Sequence, residues 1–322
     1  MNKNDILQLF QSRSNGAVIR DGYKLYLGNF KTLLCRSWLS ALIYAITVGL
    51  LIRTAIEQLP ILATLGITGQ VSISQMAEIA IENLIIVSVA SLIFTVGAGI
   101  LASAGFSALS EHQISGTISM PKKWYRQFDG RMLLRTAKLV VWMIIVDIIM
   151  STILSGIAYI GLMALSPIAS ILLLIVAYIT ILAFLLPLEV IVIRYMLSEK
   201  SEHFVSTLTK YYAIGIRHWG GLFVVGFIMS IVVVILTIAT EFPAFILFIA
   251  NVQSQLGALQ GDPLGMPSYM GWLNIIVFVI AGFIQAYVHL SFLFPMYYLY
   301  GSIITQEKEK SELKKQFSIH KD

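Results

Sequence analysis

Cysteine is nearly absent from this chain of 322 residues, which has a single one, Cys35. One thiol excludes both an intramolecular disulfide framework and a cysteine-rich metal site. Charged side chains are also scarce, at 12% of the residues, whereas soluble domains usually have about 25%. Because 57% of the residues are hydrophobic, the composition favours a membrane protein over a soluble one.

The first 30 residues lack a continuous apolar stretch and carry charges of both signs, so we expect no cleaved signal peptide. Farther along, six segments meet the requirement of about 20 mostly apolar residues for a membrane-spanning helix. The third and fourth segments are joined by Ser166-Pro167, which predicts a tight reversal. The six predicted spans lie at 35–56, 84–109, 139–165, 168–194, 220–240 and 273–302.

Basic residues are distributed unevenly around these spans. Of the 22 lysines and arginines, all except Arg53 lie in the N-terminal arm, in the connections after the second and fourth spans, or in the C-terminal tail. Because lysine and arginine are enriched in cytoplasmic loops, we expect both termini in the cytoplasm and the chain in the bacterial cytoplasmic (inner) membrane. The charge is spread over four juxtamembrane segments, so it does not indicate a nucleic-acid partner.

An internal repeat is visible at the ends of the fourth and sixth spans. The segment AFLLPLEVIVIRYMLSEK begins at Ala183, and part of its pattern recurs 108 residues later. The matched residues are Phe184, Leu185, Pro187, Glu199 and Lys200 with Phe292, Leu293, Pro295, Glu307 and Lys308. A weaker third copy ends at Ser110-Glu111. The pattern predicts three parallel two-helix repeats related by a pseudo-threefold axis along the membrane normal.

Each repeat begins with an amphipathic segment. Apolar residues recur at 3–4 residue spacing on one face of these segments: Ile19, Tyr23, Tyr26, Leu27, Phe30 and Leu34; then Trp124, Tyr125, Phe128 and Met132; then Phe204, Leu208, Tyr211, Tyr212 and Trp219. This pattern is typical of helices that lie in the headgroup plane. We expect them to fix the entry angle of the next span and to attract anionic lipid headgroups of the bilayer.

The predicted fold class is therefore all-α, a polytopic membrane helix bundle. Six transmembrane helices form one domain over 1–322, with amphipathic cytoplasmic connecting helices. The repeat units are at about 17–110, 120–200 and 204–308, and 309–322 is a charged cytoplasmic tail.

Two known families share parts of this outline. Mitochondrial carriers have six spans in three repeats, but their proline signature closes the odd spans, whereas Pro187 and Pro295 lie on even ones. The segment DGYKLYLGNFKTLLCRSW (Asp21–Trp38), followed by spans with helical joints, resembles the bacterial six-helix group that includes the membrane domain of some glycerophosphodiester phosphodiesterases. This resemblance implies a membrane fold without an inherited activity, because no part of the chain fits the soluble hydrolase barrel.

Two longer connections are predicted on the side opposite the termini. In 57–83, Ser72-x-x-Gln75 indicates a short helix before the second span. In 241–272, the apolar segment AFILFIANVQSQL at 244–256 is too short to cross a membrane. The sequence leaves open whether this segment is interfacial or re-entrant.

Polar side chains inside spans are rare and mark candidate functional sites. The candidates are Asp147, Ser151 and Ser155 on the third span, Ser88 and Ser91 on the second, and Gln285 and His289 on the sixth. They predict either a polar core for a transport path or hydrogen bonds that hold the helices together. Asp147 lies about 13 Å beyond Lys138, so we expect it to face the bundle interior, with Ser88, Ser91, Gln285 and His289 as candidate partners.

A second group combines proline with a carboxylate. Pro187 and Pro295 each free a carbonyl one turn earlier and permit a kink. Glu189 lies near the inner interface, where a carboxylate costs little free energy. We interpret Pro187, Glu189 and Pro295 as a hinge or shape element first and as a proton or ion site second.

Catalytic patterns are weak in this sequence. The five histidines are scattered, and neither a His-Glu-x-x-His motif nor a phosphate-binding glycine loop occurs. We therefore expect no enzyme, no metal site and no cofactor. The leading interpretation is a non-catalytic integral protein of the bacterial cytoplasmic membrane, a scaffold or accessory factor. The alternative is a small-molecule or ion transporter that uses the polar intramembrane core. Protein partners are not indicated.

Overall fold

A computed structural model describes residues 9–68, 73–120, 129–164, 166–198, 204–259, 267 and 269–319. Within these ranges the chain is helical and contains no strand, so the predicted all-α class is confirmed. The helices are α1 (Asn15–Gly28), α2 (Phe30–Thr68), α3 (Ile73–Ser115), α4 (Gly130–Ala164), α5 (Pro167–Leu185), α6 (Leu188–Leu197), α7 (Phe204–Arg217), α8 (Trp219–Leu259) and α9 (Met270–Ile319).

Six stretches of these helices are long and apolar enough to cross a membrane, and each coincides with one predicted span. They are Phe30–Glu57, Ile85–Ser115, Gly130–Ile157, Ile168–Leu197, Trp219–Gly257 and Met270–Gln316. The predicted reversal between the third and fourth spans is also present. There the Ser166 hydroxyl accepts a hydrogen bond from the amide of Ala169, and Pro167 is the first residue of α5, a favourable start for a helix. The protein is thus a multi-pass membrane helix bundle.

The bundle is built around α9. Helix α2 packs against α3, α8 and α9, and α9 also contacts α1, α3, α6 and α8. The largest fully buried side chains include Phe294, Tyr297 and Tyr298 of α9. Helices α4 and α5 form a hairpin at the edge, where α4 packs on α3. In the most apolar part of α4, 0% of the residues are buried, against 50% for α9. The hairpin is therefore peripheral to the core.

The two ends of the bundle carry different elements. The backbone amide of Arg13 donates a hydrogen bond to the Ser302 hydroxyl, so the N-terminal segment meets the second half of α9 at one end. We call this end, formed by α1, the start of α2, the end of α3, α6, α7 and residues 291–307 of α9, the basic end. The opposite end, where α2 leads to α3, α4 to α5 and α8 to α9, is the loop end.

Two short helices of equal length, α1 and α7, precede long spans at the basic end. Each has 14 residues and leads into the next helix through a single residue, Asn29 or His218. The backbone amide of each linking residue donates to two carbonyls of the preceding turn, which tightens the joint. The predicted connecting helices before the first and fifth spans are therefore present. The one predicted at Trp124 and Phe128 lies outside the described residues.

The repeat predicts equivalent bends at Pro187 and Pro295, but the backbone differs at the two prolines. At Pro187 the helix is interrupted, because α5 ends at Leu185 and α6 begins at Leu188, whereas Pro295 lies inside the continuous α9. Both prolines nevertheless pack against a glycine of a short helix. A Cβ atom on Gly22 would lie 2.5 Å from Pro295 Cα, and one on Gly215 would lie 2.7 Å from Pro187 Cβ. The threefold repeat itself stays a prediction.

Both predicted loop-end connections are largely helical. Helix α8 continues through Pro243 to Leu259, so 244–256 extends the fifth span and is neither a separate interfacial segment nor a re-entrant one. Residues 244–250 remain apolar, and the Asn251 side chain then bonds to Asn274 of α9, which favours continuation of the helix. Likewise, α2 reaches Thr68 and α3 starts at Ile73, so the predicted separate helix before the second span is instead the first part of α3.

Candidate functional site

Arg13 and Asp21 form a buried ion pair at the basic end. Arg13 Nε lies 3.1 Å from Asp21 Oδ2, and the two side chains are only 4% and 7% exposed. The Arg13 guanidinium also lies 4.8 Å from the ring centre of Tyr298. Helix α1 supplies Asp21 because its inner face carries Val18, Asp21 and Leu25, all buried. In the sequence, Arg13 is distinguished only as part of the basic N-terminal arm, so its pairing with Asp21 was not predicted.

Other arginines are held in the same way. Arg36 forms an ion pair with Glu111 and donates to the Ser107 hydroxyl at 2.9 Å. Arg135 donates to the carbonyls of Met196 and Ser198, at 3.1 and 2.6 Å. These carbonyls belong to the end of α6, where orphan acceptors and the negative end of the helix dipole favour a cation. The arginines therefore join α2 to α3 and α4 to α6.

Aromatic side chains close the space between these pairs. Phe294, Tyr297 and Tyr298 are 0% exposed, and Tyr297 shares a 3.0 Å hydrogen bond with His112 of α3. The Tyr26 hydroxyl of α1 donates to the carbonyl of Tyr287 at 2.8 Å, and burial raises the pKa of the Tyr26 phenol. The basic end is therefore a packed, hydrogen-bonded closure.

A chain of polar side chains lies deeper in the bundle, between α2, α8 and α9. The Tyr44 hydroxyl and His289 Nδ1 are 3.0 Å apart, and His289 Nε2 is 3.2 Å from the Gln285 amide nitrogen. That nitrogen also donates to the Thr237 hydroxyl at 2.9 Å. We call Tyr44, His289, Gln285 and Thr237 the polar chain. The structure thus brings together two predicted residues, Gln285 and His289.

Tyr44 and Thr237 were missed by the sequence analysis. Each stands alone in an apolar run, so no local pattern distinguishes it from an ordinary packing residue. The available signal is their depth: both lie well inside a span, where a hydroxyl needs a hydrogen-bond partner. Glu241, one turn after Thr237 on α8 and half-buried, was also missed.

The expectation that Asp147 faces the bundle interior is wrong. Asp147, Ser151 and Ser155 are all exposed on α4, and Ser88 is exposed on α3. Ser91 is half-buried, and its carbonyl accepts a hydrogen bond from Thr95. The reason lies in how α4 meets α3. Contact is close at the basic end, where a Cβ on Gly99 would lie 2.9 Å from Val140, while the following turns of α4 lie at the edge of the bundle.

The hinge candidates have different surroundings. Pro187 is buried against α7, and Glu189 is half-buried in the first turn of α6, where the positive end of the helix dipole favours a carboxylate. Pro295 is enclosed by α1 through Gly22. The break at Pro187 supports a shape role for this group, and its role as a proton or ion site stays a prediction.

A cavity of about 550 Å³ opens at the loop end between α2, α8 and α9. Its lining includes one ion pair and one pair of hydrogen-bonded amides. Arg53 Nε lies 2.8 Å from Glu57 Oε1, with side chains 66% and 49% exposed. Asn251 and Asn274 exchange amide hydrogen bonds of 2.7 and 2.9 Å. The other lining residues are Ile46, Gly49, Leu50, Ile56, Gln255, Gly271, Trp272, Ile275, Phe278 and Val279.

This cavity has the size and chemistry of a small-molecule site. Such sites have volumes of about 300–1,000 Å³, apolar walls and a few polar groups that orient the ligand. Here the guanidinium and the carboxylate lie within one turn of α2, and Trp272 supplies an aromatic wall. The sequence had marked Arg53 only as the basic residue on the unexpected side. The presence of this one basic residue on the side opposite the termini was the feature of the sequence that could have indicated the site.

An apolar cluster adjoins the cavity, and two of its residues, Ile56 and Phe278, also line the cavity. Ile56, Ala244, Phe278 and Ala281 form a buried cluster between the same three helices. Gln285 follows Phe278 by two turns of α9, about 10 Å along the axis. Along α9, the polar chain therefore lies farther from the loop end than the cavity lining, which ends at Val279.

Among the residues that the structure describes, no group of three or more histidine, cysteine, aspartate or glutamate side chains could hold a metal ion. Comparison with protein-family models, with curated proteins and with solved structures finds no match to this chain. The contrast between the open cavity and the closed basic end is therefore the main indication of its function.

Proposed function

We propose that the chain is a non-catalytic integral protein of a bacterial cytoplasmic membrane, with an accessory role that depends on binding a small polar molecule at the loop end. The observation that carries the proposal is the cavity lined by Arg53, Glu57, Asn251 and Asn274. The opposite end of the bundle is closed by buried aromatic and charged side chains. A small polar molecule can therefore enter the bundle from the loop end but cannot pass the packed basic end.

The orientation supports an extracytoplasmic ligand. All lysines and arginines except Arg53 lie on the same side of the predicted spans as the two termini. The basic residues of multi-pass proteins favour the cytoplasmic side. With the termini in the cytoplasm, the cavity faces the outer side of the membrane. Lys24 and Lys31 are exposed at the basic end, where we place the contacts with anionic lipid headgroups.

The charges of the cavity are available to a ligand, unlike those of the basic end. Arg53 and Glu57 are both more than 40% exposed, and an exposed pair of this kind gains little free energy from its own contact. A ligand with a carboxylate and an ammonium group can therefore replace each partner at small cost. Arg13 and Asp21, by contrast, are enclosed and already paired.

Transport is the second candidate, and the polar chain is the observation that favours it. Tyr44, His289, Gln285 and Thr237 continue the seam inwards from the cavity. Polar groups at this depth are typical of ion and substrate paths. A transport cycle would require the apolar cluster at Phe278 and the aromatic closure at Tyr297 to open in turn.

One experiment separates the two candidates. Protein in nanodiscs is tested for binding of radiolabelled glycine, glutamate, sucrose and phosphate, and protein in proteoliposomes is tested for their uptake. Binding without uptake supports the accessory role, and uptake supports transport. Absence of binding to the wild-type protein contradicts both.

Matched variants test whether the cavity is the binding site. The variant Arg53→Ala removes its guanidinium, and Ser88→Ala removes an exposed polar group from α3, outside the cavity lining. We expect binding to be lost in the first and kept in the second.

A further inference from the structure

The carboxylate of Asp147 has an unusual position on the protein surface. It is exposed on α4 and makes no hydrogen bond or ion pair with the part of the chain that the structure describes. It lies about 13 Å along the helix from Lys138, so it falls inside the hydrocarbon core when Lys138 lies at the interface. Lipid tails offer no hydrogen-bonding group, so a carboxyl group there requires a protein partner.

The same face of α4 carries hydroxyl groups that can form hydrogen bonds with a carboxyl group. Ser151 and Ser155 follow Asp147 at intervals of four residues, and both are exposed. Gly156 lies beside them, and a Cβ atom there would meet nothing within 4 Å. Hydroxyl groups and small residues on one face are typical of close contacts between membrane helices.

We propose that two copies of the chain pack α4 against α4 around a twofold axis along the membrane normal. In a twofold interface the same surface meets itself, so equally numbered residues lie at equal depth. Ser151 of the partner subunit then lies one turn of helix, about 6 Å, from the depth of Asp147, and we place its hydroxyl in a diagonal hydrogen bond with the Asp147 carboxyl group. Donor and acceptor are both present on one face, which makes the surface complementary to itself.

A second copy fits this surface better than a partner with an intramembrane cation. In the described spans of this chain, lysine and arginine lie only near the ends, so its own partner group is a hydroxyl. The hairpin also has free area, because 0% of the residues in the most apolar part of α4 and 6% in that of α5–α6 are buried. The cavity lies between α2, α8 and α9, so the dimer is independent of the proposed ligand site.

Disulfide cross-linking in native membranes tests the interface. The natural thiol is removed by Cys35→Ser, and Ser155→Cys, which keeps the Ser151 hydroxyl, is compared with Ile153→Cys, which is 46% exposed but points about 200° away around the helix. We expect Ser155→Cys to form a product of twice the 35.7 kDa chain mass and Ile153→Cys to form little. Equal cross-linking, or none at either position, would overturn the proposal. A product of another mass would instead identify a different partner protein.

Two changes at Asp147 test the role of the carboxyl group in that cross-link. Asp147→Leu should lower the cross-linked fraction of Ser155→Cys, in which the Ser151 hydroxyl is intact, by roughly tenfold, the effect of losing one or two interhelical hydrogen bonds. Asp147→Asn should leave it nearly unchanged, because an amide still donates and accepts. Leucine is well tolerated in lipid, so membrane insertion should be normal, as checked by size-exclusion chromatography. An unchanged cross-link in Asp147→Leu would show that Asp147 does not hold the dimer.

Discussion

The basic end and the loop end use similar residue types in opposite ways. At the basic end, Arg13 and Asp21 are almost fully enclosed by α1, α9 and the preceding segment. At the loop end, Arg53 and Glu57 form an ion pair that is largely exposed beside a cavity. The shorter contact is the exposed one, Arg53–Glu57, so distance does not indicate which pair is enclosed, and we expect burial to decide how much the loss of one partner costs.

The burial of aromatic residues follows the same division. Phe294, Tyr297 and Tyr298 are fully buried at the basic end, whereas Trp272 at the loop end is 73% exposed. We therefore expect the free energy of folding to be concentrated at the basic end, and the loop end to retain groups that can meet a ligand. Four predictions, in order of decreasing effect on stability, test this division.

The largest effect is expected from Arg13→Ala. Removing one partner of a buried pair leaves the Asp21 carboxylate enclosed without its main cation, which costs about 3–5 kcal/mol. Arg20 is the matched control, because it contacts the same carboxylate while being 76% exposed, and Arg20→Ala should cost under about 1 kcal/mol. Unfolding in mixed detergent micelles measures both. Equal losses would show that burial does not distinguish the pairs.

A smaller loss is expected from Gly22→Ala. Its new methyl group would lie 2.5 Å from backbone atoms of Pro295, so α1 must move away from α9, at a cost of about 1–3 kcal/mol. Gly28 lies on the same helix, and a Cβ there meets nothing within 4 Å. Gly28→Ala should therefore leave the melting temperature in detergent unchanged or raise it. A Gly22→Ala variant as stable as the wild type would contradict the close contact.

At the loop end, the amide pair between α8 and α9 should contribute less. Interhelical hydrogen bonds in membranes contribute about 0.6 kcal/mol on average and up to about 1.7. A double-mutant cycle of Asn251→Ala and Asn274→Ala isolates the coupling between the two side chains. We expect a coupling in this range. A value near that of the buried Arg13–Asp21 pair would contradict the division between the ends.

The smallest change in stability is expected from Arg53→Ala, at about 0.3–0.5 kcal/mol for an exposed pair one turn apart. Ligand binding should nevertheless be lost, because the cavity loses its guanidinium. Melting temperature and binding in nanodiscs, measured on the same preparation, test both statements. A large loss of stability with intact binding would show that Arg53 stabilises the fold and does not bind the ligand.

The sequence predicted the existence of the spans well, and for a clear reason. Each span needs a long apolar run, and a signal such as Ser166-Pro167 marks a helix start through its own local chemistry. The confirmed part of the fold therefore rests on length, hydrophobicity and local capping. None of these depends on which helices become neighbours.

The arrangement of the helices could not be predicted in the same way. Lipid and protein interior are equally apolar, so hydrophobicity does not indicate which face of a membrane helix turns inwards. Asp147 was assigned to the interior because a carboxylate is costly in lipid, yet it lies on the outer face of α4. The cavity was missed because Arg53, Asn251 and Asn274 are far apart in the sequence and meet only through the packing of three helices.

The uninterrupted course of α9 has a mechanical consequence. With 50 residues, this helix is about 75 Å long, and it lines the cavity at Asn274 and binds His218 and Arg217 through Glu307. These two positions lie about 50 Å apart on one rod. A ligand that tilts α9 at the cavity would move its far end in the opposite sense about the fulcrum where Gly22 meets Pro295. Spin-label distances between α7 and α9, measured with and without ligand, would detect this lever, and unchanged distances would exclude it.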